Sequence, residues 1–229
     1  MILCCFGGKP QDIRFLRRSA LAVIPYRTDE HLETFGRSFL AGLGLEHQTC
    51  PDLMTIITKA KHSNPQFGYR RVPDKDMPDA EAEWNSEECE LRMRESVFVG
   101  MQRGEPHHRF VVFHELSHYA LGHKGFRNRI ADPRVRKYSA AHVKHEEAEA
   151  NRLAVMLIAP EHLVPEEASA EQIASLFGLS LTAAILRKEE VDRVRRRRRG
   201  ELRPLPASIK EMLRDARDKG VPIQTQLDD

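Results

Sequence analysis

The chain has 229 residues, of which 41% are hydrophobic and 31% charged, with a formal net charge of +2. This suits one principal globular domain with an appendage and gives no overall argument for nucleic-acid binding. No apolar run reaches the roughly 18 residues of a membrane span, and the start Met1-Ile-Leu-Cys-Cys-Phe-Gly lacks the basic residues and apolar length of a signal peptide, so a cytoplasmic protein without membrane contact is expected.

Residues 1–25 form a poorly defined lead-in that ends at Pro25. Asp29 is expected to cap a helix carrying Leu32, Phe35, Phe39, Leu40 and Leu43 on one face, closed by Gly42 and Gly44. Residues 51–59 read as a second short helix with Pro51 near its first turn. Three segments then alternate apolar with polar: Phe67 to Val72, Ala80 to Trp84, and Glu90 to Arg94. They predict a small sheet of short antiparallel strands with one wet face. Val97 to Met101 reads as a helical turn. The four cysteines (Cys4, Cys5, Cys50 and Cys89) show no CxxC spacing and read as free thiols in a reducing compartment.

The segment Arg109-Phe-Val-Val-Phe-His-Glu-Leu-Ser-His-Tyr-Ala-Leu-Gly-His123 carries the chemistry. Pro106 suits the first turn of a helix here and Gly122 its end. His114 and His118, four residues apart, lie about 40° apart around that helix, so both imidazoles reach one metal ion. Glu115 sits beside that face, where a carboxylate takes a proton from a metal-bound water. Burying two imidazoles and a carboxylate is costly unless they are paired or metal-bound. The plainer alternative is a helix whose histidines are merely packed or solvated.

Tetrahedral catalytic zinc needs a third protein ligand. His123 would supply it in a metzincin pattern, but that pattern demands Gly and His where Leu121 and Lys124 stand. Lys124 to Lys144 is basic and loop-like; Tyr138 and His142 within it, and His145 just after it, are candidate oxyanion donors, though ordinary loop roles are the simpler reading. Beyond it, Ala150, Ala154 and Ile158 form an apolar stripe, and Glu146 and Glu147 stand one turn earlier on it. Glu147 is the first choice for third ligand, with Glu146 and Glu149 as alternatives. Asn151 shares the face of Glu147 and is placed to orient a ligand. An acidic first turn complementing a helix dipole is the structural alternative for this cluster.

After Pro165, Ser169 or Ala170 opens a helix with Ile173, Leu176 and Phe177, and a Gly178 turn leads to another with Ala183, Ala184 and Leu186. This pair has helix-turn-helix form. Arg193 to Arg199 follows, a basic run that reads first as solvated and second as a nucleic-acid or acidic-partner contact. A short helix is expected near Ile209 to Arg217. The organisation expected is a lead-in (1–25), a core domain (26–165), a small helical element (166–195) and a basic extension (196–229).

Together the two central segments resemble the ImmA/IrrE family of regulatory metallopeptidases. The resemblance rests on Arg109-Phe110, His114-Glu115-x-x-His118, Leu121-Gly122-His123, Glu147-x-x-x-Asn151-x-x-Ala154 and Pro160, with a weaker match over Ala170 to Ser180. Leu153 and the ending Ile158-Ala159-Pro160 depart from the family's usual residues, in both cases at apolar packing positions. The resemblance implies an α+β, zincin-like core with a C-terminal helical appendage. It implies that His114, His118 and Glu147 hold Zn²⁺, with Mn²⁺ also acceptable to such a donor set, and that Glu115 is the general base. It further implies cleavage of a cytoplasmic helix-turn-helix repressor. The competing functional reading is a regulatory module that binds DNA or a partner protein and keeps a vestigial or structural metal site.

Overall fold

The computed structural model describes residues 26–123, 140–201 and 205–221. The expected lead-in with Cys4 and Cys5, and the loop position Tyr138, lie outside the described residues. The chain divides into two compact units between Glu189 and Glu190.

The first unit opens with α1 (Asp29–Gly42). Its cap is Thr28, whose hydroxyl accepts from the His31 N–H, rather than Asp29, which is the helix's first residue. Asp29 instead accepts from Arg152 Nε at 3.0 Å. Helix α2 (Leu53–Ser63) is capped by Asp52 and runs beyond the expected end at residue 59. Strands β1 (Gly68–Val72), β2 (Ala82–Asn85) and β3 (Glu90–Arg94) form the sheet. Two helices follow directly, α3 (Glu95–Gln102) and α4 (Pro106–Leu121), so the expected helical turn at Val97 to Met101 is part of a full helix.

The sheet is mixed rather than wholly antiparallel. Its order is β1-β3-β2, with β3 parallel to β1 and antiparallel to β2. The cause lies in the connections. β2 and β3 are joined by a short turn and pair as a hairpin, whereas residues 73–81 are long enough to carry β2 past the central position. β3 then fills the gap and runs the same way as β1. Both sides of β3 are therefore taken, and β2 is an edge strand.

Helix α5 (Ala140–Ile158) packs most extensively against α4, and next most against α1. Its buried face is made of Ala150, Leu153, Ala154, Leu157 and Ile158. On α1, a Cβ at Gly36 would lie 3.2 Å from Leu153 Cδ1, so this glycine sets the α1–α5 spacing. Arg109 is buried at the start of α4; its Nη1 donates to the Pro51 carbonyl at 3.2 Å and its guanidinium lies 5.2 Å from the centre of the Phe113 ring.

Helix α6 (Ala170–Phe177) begins with a capping box formed by Ser169 and Gln172. Gly178 ends it, and α7 (Leu181–Arg198) follows. Arg187 on α7 is wholly buried; its Nη2 lies 2.5 Å from Glu33 Oε1 of α1 and its Nε donates to the Ala159 carbonyl at 2.9 Å. This clip ties the small helical element to the core domain. The second unit contains the end of α7, with Arg193 to Arg198 in helical conformation, and α8 (Ala207–Asp218). The fold is α+β, a zincin-like core with a helical C-terminal part.

A buried ion pair costs more when halved than when absent. Replacing Glu33 with alanine leaves the Arg187 guanidinium without this carboxylate. The expected loss is about 3 kcal/mol, read as a lower urea midpoint; an unchanged midpoint would contradict the clip.

Candidate metal centre

Helix α4 places its chemistry by three local devices. Pro106 occupies the first turn, an apolar face of Val112, Phe113 and Leu116 is buried, and Gly122 adopts a left-handed conformation (φ 70°) that stops the helix one residue before His123. The His123 N–H then bonds the His118 carbonyl at 2.9 Å, folding His123 back over the helix end. His142 and His145, expected in a loop, are on α5, which has begun by Ala140.

The structure brings His114, His118 and Glu147 together. His114 Nε2 and His118 Nε2 lie 3.1 Å apart. Glu147 Oε2 is 3.2 Å from His114 Nε2 and 3.5 Å from His118 Nε2. A tetrahedral ion with bonds of about 2.1 Å has ligand–ligand edges of about 3.4 Å, so the triangle fits such an ion. With the ring hydrogens on the far nitrogens, all three atoms would offer lone pairs inward, and a cation between them would relieve the repulsion. Among the described residues, this is the group of His, Cys, Asp and Glu side chains gathered closely enough to hold a metal.

The other candidates are placed elsewhere. Glu146 Oε1 is 3.1 Å from His142 Nε2. Glu149 points to the far side, with Oε2 3.4 Å from His123 Nε2 and paired with Arg27. His123 meets His118 on the Nδ1 side, Nδ1 to Nδ1 at 3.0 Å, away from the triangle.

Charge follows this geometry. Burial disfavours protonation of His114, but its hydrogen bond with Glu147 and the charges of Glu115 and Glu147 outweigh burial and raise its pKa. Asn151 interacts with the His114 ring and adds to this effect, as its position one turn from Glu147 implies. Hydrogen bonds with His114 and His118 hold the Glu147 carboxyl well below the usual range. Burial pushes the Glu115 carboxyl up, against the opposing charges of His114 and His118 and the Trp84 N–H.

Glu115 has a partner that side-chain patterns do not reveal. Its Oε2 accepts from the backbone N–H of Trp84 at 2.7 Å, while Oε1 lies 3.9 Å from His114 Nε2. That N–H belongs to the edge strand β2 and faces α4. Trp84 also stacks with Phe67 (5.9 Å between ring centres) and lies 4.9 Å from the Tyr119 ring, which packs the sheet against the end of α4. Beside this cluster is a cavity of about 640 Å³, largely apolar, with Trp84, Tyr119 and His123 in its wall.

A protein-family model, Peptidase_M78 (IrrE N-terminal-like domain), matches residues 72–187. The chain belongs to this family. The match takes in β2, β3, both site helices and Arg187, and leaves out α1 with Glu33, α2 and the second unit. No curated protein matches the chain. Family membership supports a peptidase, and the three converging side chains support a bound metal. Among the described residues no helix is long and apolar enough to cross a membrane.

Proposed function

We propose that the chain is a zinc-dependent endopeptidase of the cytoplasm whose substrate is a transcriptional repressor of helix-turn-helix type. The observation that carries the reading is the triangle of His114, His118 and Glu147 with a buried carboxyl, Glu115, at its side. These three residues would hold Zn²⁺, or Mn²⁺ in its place. The ion would supply Lewis acidity, which lowers the pKa of a bound water toward about 7 and polarises a carbonyl.

Glu115 acts as general base and then as acid. The Trp84 N–H fixes Oε2, which leaves Oε1 to take a proton from the attacking water and return it to the leaving amine. Burial of Glu115 favours the protonated form it must reach midway through that cycle. The substrate strand would add to the free side of β2. It does not add beside Glu90 to Arg94, because β3 is paired on both sides. The apolar cavity next to Trp84 would receive a large apolar side chain of the substrate. The repressor as substrate rests on the family resemblance, and the site chemistry is compatible with any exposed, extended segment.

The binding-module reading draws on one feature, the helical Arg193 to Arg198 segment. The two readings separate on two variants. Glu115→Gln keeps all three proposed ligands, so it is expected to retain metal while cleavage of a repressor encoded beside its gene falls by at least about 10²-fold. A metal-loaded variant that cleaves at the wild-type rate would overturn the role of Glu115. Repressor left intact by the metal-loaded wild type, with DNA retained by His114→Ala in a gel shift, would favour the binding module.

A further inference from the structure

His118 differs from His114 in what holds its far nitrogen. His118 Nδ1 and His123 Nδ1 stand 3.0 Å apart, and both residues are buried, at 3% and 6% exposure. Two ring nitrogens at this distance share one hydrogen, so one ring donates and the other accepts. By contrast, His114 Nδ1 is buried with no hydrogen-bond partner among the described residues.

We infer that His123 and Glu149 are positioning residues that fix the hydrogen of His118 on Nδ1 and so keep its Nε2 lone pair turned into the metal triangle. This inference rests on the metal-centre reading of the proposed function. If His118 Nε2 offers a lone pair, its hydrogen sits on Nδ1 and is donated to His123 Nδ1. His123 must then carry its own hydrogen on Nε2, and that atom faces Glu149 Oε2 at 3.4 Å. Every tautomer along the chain is thus determined from one end by the metal and from the other by a carboxylate.

The carboxylate end is anchored by an ion pair. Glu149 is 3% exposed, and its Oε2 is ion-paired with Arg27 Nη1. The ion pair holds the Glu149 side chain in place behind His123. Arg27 is itself held, because its carbonyl accepts from Arg152 Nη2 at 3.0 Å while Arg152 Nε donates to Asp29 Oδ1 at 3.0 Å. The chain therefore runs from the start of α1, through Glu149 on α5, to His123 beyond α4 and back to the His118 ring. A carboxylate behind a ligating imidazole orients the ring and raises its basicity, and removing such a partner costs roughly 10–100-fold in metal affinity. Here a second imidazole stands between the carboxylate and the ligand.

The test is the zinc dissociation constant of the full-length chain, measured by competition with a chromophoric chelator, with folding checked by circular dichroism. His123→Leu removes the acceptor and is expected to weaken zinc binding by about 10–100-fold. His123→Asn puts a side-chain oxygen where Nδ1 stood and is expected to recover most of that loss. Glu149→Gln keeps the shape but not the charge, and is expected to weaken binding by about 10-fold. In the zinc-loaded wild type, ¹⁵N NMR is expected to find the ring hydrogen on Nδ1 of His118 and on Nε2 of His123. Wild-type affinity in folded His123→Leu or in Glu149→Gln would overturn the inference, as would a zinc-loaded His118 with its hydrogen on Nε2. Should His123→Leu not fold, Glu149→Gln and the ring-hydrogen positions decide. A wild-type chain that takes up no zinc is a different result, because it removes the metal-centre reading before any substitution is made.

Discussion

Two imidazole nitrogens 3.1 Å apart, with a carboxylate oxygen 3.2 Å from one of them, sit together at the contact between α4 and α5. Much of the unit is arranged so that this contact can form. Ala150 and Ala154 are buried on α5, and Gly36 allows α1 to press against Leu153 and Leu157. Packing energy from these apolar faces offsets the cost of desolvating the site. The same crossing brings Glu115 to the edge of the sheet. There a backbone N–H, which is unaffected by side-chain substitution, fixes one of its oxygens.

Charges away from the triangle are also paired across elements distant in sequence. Glu33 meets Arg187 between α1 and α7, and Arg152 meets Asp29 between α5 and α1. Glu149 meets both Arg27 and His123. Buried pairs of this kind contribute little net stability compared with apolar packing, but they penalise any arrangement that separates them. They therefore act on register, holding α1, α5 and α7 at the positions that keep the two site helices aligned.

The converging side chains were legible in part. Periodicity pairs the two histidines but leaves Glu147 beside Glu146 and Glu149 as candidates, and the fold is what brings Glu147 to His114 and His118. His114 and His118 are one turn apart on α4, and Glu147 lies one turn before the alanine stripe of α5. Helix ends marked by proline and glycine were legible for the same local reason, at Pro106, Gly122 and Gly178. What escaped the sequence depends on contacts between distant segments. The hold of Trp84 on Glu115 is a backbone interaction and leaves no residue signature. Glu149 reads from its position as a possible ligand and His123 as a rejected one; only the tertiary fold shows them facing each other behind His118. The parallel pairing of β1 and β3 follows from the path of residues 73–81, which strand periodicity does not encode. Thr28 and Asp29 are both sound caps by type, and the choice between them is set by Arg152, far along the chain.

The most direct measurement is the metal content of the purified full-length chain by elemental mass spectrometry, beside Glu147→Ala. About one equivalent of zinc or manganese in the wild type, largely lost in the variant, is the expected result for a three-ligand site. A metal-replete wild type with no bound metal, or a variant that keeps its full equivalent, would contradict the assignment of His114, His118 and Glu147 as a metal centre.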